Sequence, residues 1–92
     1  MEMEIARVTH YYSHLHVAAL KLSADLHEGD YIHILGHSTD FMQKVSSLEV
    51  DHRHVAGGHP GEDIGLLVIA PVRVHDAIYH VPEGEFEPYP LV

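Results

Sequence analysis

The chain is predicted to fold as an all-β domain, a barrel or a sandwich, on three observations. No apolar pattern of helical period survives the glycines, prolines and β-branched residues. Short runs of strand-favouring residues recur instead, and turn chemistry interrupts them every 8–12 residues or so. The third observation is size: 92 residues with no cysteine, 46% hydrophobic and 21% charged, have room for one core and carry no disulfide framework.

The elements follow in order. Ile5 to Tyr12 alternates Ala6, Val8, His10 and Tyr12 against Arg7, Thr9 and Tyr11, the period of a strand. Ser13-His14-Leu15 connects it to a second strand, His16 to Leu22. Asp25 to Asp30 is a turn in which Gly29 is free to take positive φ. Tyr31 to Gly36 comes next, with Ile32 and Ile34 on one face. His37-Ser38-Thr39-Asp40 is a loop. Phe41 to Val55 is too long for an ordinary strand, and its apolar parity slips between Val45 and Leu48, which reads as a β-bulge bending the strand. Ala56 to Glu62 is a loop. Ile64 to Ile69 is a continuous apolar run suited to a buried strand, Ala70-Pro71 breaks it, and Ala77 to Val81 is the last strand. The division is therefore a domain over residues 1–81 and a Pro/Glu-rich arm or tail over residues 82–92.

The order of three motifs carries a resemblance. Gly29-Asp30-x-Ile32-x-Ile34-x-Gly36 is followed by Gln43-Lys44-Val45-x-Ser47-Leu48-Glu49, then by Gly61-Glu62-Asp63-Ile64-Gly65-Leu66, and a short strand closes the set after Val74-x-Asp76. This is similar to the second domain of translational GTPases such as elongation factor Tu. Ala6 to Tyr12, with Thr39-Asp40-Phe41-x-Gln43-Lys44-Val45, resembles small stand-alone translation elongation factor-like proteins, and a related barrel is appended to some collagenase-like peptidases. The resemblance implies a closed antiparallel barrel of six or seven strands. In full translation factors such a domain is a platform for other molecules, so the expected function is a non-enzymatic binding module contacting a protein or ribonucleoprotein partner, with the cytoplasm as its default location.

Charge and motif content narrow the function classes. Five basic residues against 14 acidic ones give −9 at neutral pH, which opposes non-specific contact with nucleic acid. The chain has no G-x-x-x-x-G-K-(S/T), so direct GTP binding of that type is not expected. No run approaches the ~20 apolar residues of a membrane span, and Met1-Glu2-Met3-Glu4 carries acid where a signal peptide carries lysine or arginine. Ser13 beside His14, Ser38 beside His37, Ser46-Ser47 and the carboxylates Glu62-Asp63 are the hints of catalytic chemistry, and no serine sits in a nucleophile elbow.

Two groups of candidate site residues remain. For partner binding they are the loop Gly57, Gly58, His59, Pro60 and Gly61, and the aromatic residues Phe86 and Tyr89 of the arm, which could also make a homodimer contact on a neighbouring subunit. No cofactor is required. The alternative is a His-rich metal-binding or pH-responsive protein, prompted by 11 histidines: on a strand, His52-x-His54 would share a face and offer a half-site for Zn or Ni. A third ligand to that half-site would come from elsewhere, His59 or His10, and His14-x-His16 is a second pair of the kind if the second strand starts early.

Overall fold

Alternating buried and exposed side chains build ten strands in a computed structural model of the chain, of which residues 3–85 are described. They are β1 (Met3–Tyr12), β2 (Val17–Leu22), β3 (Leu26–His27), β4 (Tyr31–Leu35), β5 (Asp40–Lys44), β6 (Leu48–Val50), β7 (Arg53–Val55), β8 (Gly57–Gly58), β9 (Asp63–Leu67) and β10 (Ala77–His80). Eight of them form one antiparallel sheet in the order β5-β4-β10-β1-β2-β9-β6-β7, and β3 pairs with β8 in a two-residue ladder. A 3₁₀ turn, Glu83–Glu85, follows β10.

The main sheet is an open half-barrel, not the closed barrel of six or seven strands expected. Its end strands β5 and β7 are not paired with each other. The reason is local: β7 has only three residues, and the chain beyond β9 leaves the ladder at Val68. Across the seam a side chain replaces strand pairing. The Gln43 amide donates to Leu67 O (3.0 Å) while its Oε1 accepts from Ile69 N (3.0 Å), with the residue only 2% exposed. One glutamine thus satisfies two backbone groups that no neighbouring strand reaches.

The inner face of the half-barrel holds Ile5, Val8, Leu20, Ile32, Ile34, Leu48, Leu66 and Ile78, and Leu26 of the small ladder is fully buried with them. Each such side chain contributes roughly 1.5–3 kcal/mol by leaving water. Polar burial is slight and answered: no buried side-chain donor or acceptor lacks a partner among the described residues. Asp76 is an instance, its carboxylate accepting from Arg73 N at 2.8 Å to hold the turn before β10. The same carboxylate explains Gly36, because a Cβ there would lie 1.8 Å from Asp76 Oδ1.

Two details depart from the sequence reading. The run 41–55 is three strands, not one bulged strand: residues 45–47 leave the ladder, and Asp51 and His52, both at positive φ (51° and 63°), make the two-residue turn between β6 and β7. That geometry is a type I′ hairpin turn, which the sequence hid because Asp-His stands where Asn-Gly is usual. The bulges lie in β1 instead, where the register slips between Glu4 and Ala6 against β10 and between Val8 and His10 against β2. The second slip reverses the expected alternation: Tyr11 packs against the core, and His10 and Tyr12 stand outside.

Candidate functional site: a groove on the outer sheet face

The outer face of β2, β9 and β6 carries an open concavity with apolar walls. Pairing sets Ala19 opposite Gly65 and Gly65 opposite Glu49, a row of three across three strands. The next row sets Tyr12 opposite Val17 and Val17 opposite Leu67. Ala19 and Gly65 are the smallest residues on this face, so the first row sinks where neighbouring side chains rise. The groove encloses about 490 Å³ over Val17, Ala19 and Gly65, with Tyr12 and Leu15 on one side and Glu49, Asp51 and His52 on the other. It continues past Ser47 to Leu67.

The walls are apolar and exposed. Leu15 is 63% accessible and Tyr12 48%, and Leu67 stands out beside them. The β1 bulge puts Tyr12 here, and its ring lies 4.3 Å from that of His10 at 56°. Gly65 is not demanded by packing alone, since a Cβ would meet only Val17 Cγ1 at 3.2 Å before reaching Glu49 at 3.7 Å. Its absence of side chain chiefly leaves the floor open.

The rim is acidic and partly unpaired. Asp63 lies 3.7 Å from Lys21 Nζ. The side-chain carboxylates of Glu49 and Asp51 have no hydrogen bond or ion pair among the described residues. Asp51 and His52, at positive φ, place a carboxylate and an imidazole on the rim in a turn where glycine would be easier.

The residues singled out in the sequence fall elsewhere, with one exception. His52 is on the groove rim, but in a turn, so it does not share a strand face with His54. His54 Nε2 instead lies 2.6 Å from Glu28 Oε2. His14 and His16 lie in the turn between β1 and β2, with His16 at φ 57°. No three His, Asp or Glu side chains stand close enough to hold a metal ion among the described residues.

The 57–61 loop is built into the barrel end. Gly57 and Gly58 pair with His27 and Leu26, and a Cβ on Gly57 would meet the His27 ring at 2.7 Å. Gly61 takes φ 90°, and His59 Nδ1 lies 3.2 Å from Asp25 Oδ1. Pro60 lies on the rim of a shallower depression with Asp25 and His27. Phe86 and Tyr89 lie outside the described residues. No serine hydroxyl is hydrogen-bonded to a histidine among the described residues, and Glu62 accepts from His59 N within its own turn. No helix there is long and apolar enough to cross a membrane.

Histidine use is now partly accounted for. His16, His52 and His75 occupy left-handed turn positions, which histidine tolerates better than most residues with a Cβ. His27, His33, His54 and His59 each lie within 4 Å of a carboxylate, in separate places.

Comparison with known proteins turns the assignment away from translation factors. No family model matches the chain. It is 34% identical over 83 residues to an uncharacterized protease of Methanocaldococcus jannaschii, an alignment covering 89% of this chain and 20% of that protein. The chain therefore spans about a fifth of the curated relative it matches. In structure it is similar to the C-terminal domain of a Geobacillus thermoleovorans protein described as a U32 peptidase, with TM-score 0.79 and 16% identity, covering 84% of this chain and 98% of that domain. A second crystal structure of that domain gives the same TM-score over 85% and 91%. These likenesses overturn both the expected identity as a translation factor-like barrel and the function drawn from it. The shared Gly-Asp turns and alternating Ile/Val positions belong to the needs of a small antiparallel sheet and do not single out translation factors.

Proposed function

We propose that the chain is an accessory domain of a U32-type peptidase system, a module that works beside a separate hydrolytic body and does not itself cleave peptide bonds. The observation that carries this reading is the open outer-face groove on a fold that resembles a peptidase's C-terminal domain. Sequence likeness to a fifth of a protease supports it. The described residues offer a concave surface with apolar walls and an acidic rim, the features of a binding site, and no serine–histidine pairing.

The test is complementation. A U32 peptidase body from which its own C-terminal domain has been removed is assayed on a protein substrate with and without this chain, fused or in excess. Restored turnover is expected, with no hydrolysis by the chain alone. Hydrolysis by the purified chain, or a truncated peptidase that stays inert when fused to it, would overturn the reading.

A further inference from the structure

We infer that the groove on β2, β9 and β6 binds an extended polypeptide segment in which an apolar or aromatic residue and a lysine or arginine stand two positions apart. This rests on the accessory-domain reading and names the class of ligand that such a domain would hold. The argument has two parts, the floor and the charge beside it.

The floor admits an apolar side chain. Ala19 and Gly65 face outward on adjacent strands, and the open volume above them is bounded by Tyr12, Leu15 and Leu67. Large apolar side chains left in water around a concavity gain by covering. An aromatic residue seated on Gly65 would contact the Tyr12 ring side and the Val17 methyls together.

The rim selects charge. Glu49 sits one strand beyond Gly65 in the same row, about 4.8 Å across the sheet. Glu49 and Asp51 are without a basic partner, whereas Asp63 at the other end has Lys21. In an extended peptide, residues i and i+2 project to the same side roughly 6–7 Å apart. With residue i on the Ala19–Gly65 floor, residue i+2 reaches the Glu49–Asp51 rim. An acidic residue there would meet two carboxylates, so the site discriminates by repulsion as well as attraction.

The experiment titrates the full 92-residue chain with a Gly/Ser heptapeptide carrying Phe and Arg two positions apart, read by amide chemical shifts and by fluorescence anisotropy. Shifts confined to residues around Val17, Ala19, Glu49, Gly65 and Leu67 are expected. Replacing the peptide's Arg by Glu should abolish binding, and raised salt should weaken it. Glu49→Gln should weaken binding about two- to fivefold, the scale of one exposed ion pair. Gly65→Val fills the floor and should abolish binding. Its fold is checked by its amide spectrum, and Ala19→Leu fills the same floor from the neighbouring strand should the valine variant not fold. No shifts at millimolar peptide, equal binding of the Glu peptide, or shifts mapping to another face would each overturn the inference. Complementation that persists without peptide binding would sink the groove alone. Peptide binding without complementation would leave the groove standing and remove the accessory role.

Discussion

The two outer faces of the half-barrel use similar residue types in opposite ways. On β10, β4 and β5 the polar and aromatic side chains answer one another: His33 Nε2 lies 2.6 Å from Asp40 Oδ1, the Tyr79 ring stands 6.4 Å from that of His33, and Lys44 Nζ sits 5.8 Å over the Tyr31 ring. On β2, β9 and β6, Glu49 and Asp51 have no such answer, Gly65 offers no side chain, and Tyr12, Leu15 and Leu67 are left in water. Both faces cover the same core, so folding alone does not require the difference. A face that satisfies its own groups has little to offer a ligand, and a face that does not is where binding energy is still available.

Five substitutions break or sharpen this contrast. The largest effect is expected beneath the self-satisfied face, where Ile34 is fully buried between β10 and β5. Ile34→Ala should destabilise the chain by about 2–5 kcal/mol in urea unfolding, and a loss under 1 kcal/mol would show a loosely packed core. Next is the seam. Gln43→Leu leaves Leu67 O and Ile69 N without their partner and should cost about 1–3 kcal/mol, with the greatest increase in amide exchange at Ile69.

The third effect has the opposite sign. His52→Gly relieves a left-handed residue on the groove rim and should stabilise the hairpin by roughly 1 kcal/mol, seen as a higher unfolding midpoint. Destabilisation would mean that the imidazole makes a compensating contact. The smallest pair is the most direct comparison. Asp40→Asn should lower stability by up to about 1 kcal/mol by weakening its hydrogen bond to His33, whereas Glu49→Gln should leave it within about 0.5 kcal/mol. Equal losses would erase the distinction between the faces.

What the sequence made legible follows from period and turn chemistry. Ile32 and Ile34 alternate cleanly and form β4, Gly29 turns at φ 92°, and Pro71 marks the break after β9. Pairing between distant strands was not legible. Nothing local tells Thr9 that it is the extra residue of a bulge, so simple alternation places Tyr11 and Tyr12 on each other's faces. Strand Arg53–Val55 was concealed by a turn without glycine, and with it the position of His52 relative to His54. Gln43 reads as an ordinary polar residue until the seam is seen. The groove was illegible for a further reason: it consists of what Ala19 and Gly65 lack, and an absent side chain leaves no pattern along the chain.

The seam closed by Gln43 also sets how this molecule breathes. A ladder of strand pairs shares strain among many bonds, whereas here β5 meets the end of β9 and the chain after it through two side-chain hydrogen bonds at one residue, with Leu67 N donating to Ser47 O (3.1 Å) just beyond. Local opening should start there, long before global unfolding, and should swing β5 away from Leu67 without disturbing the β1–β2 pairing. Because Leu67 also ends the groove, the residue that closes the seam from behind, Gln43, is anchored on the same short stretch of chain that bounds the open face.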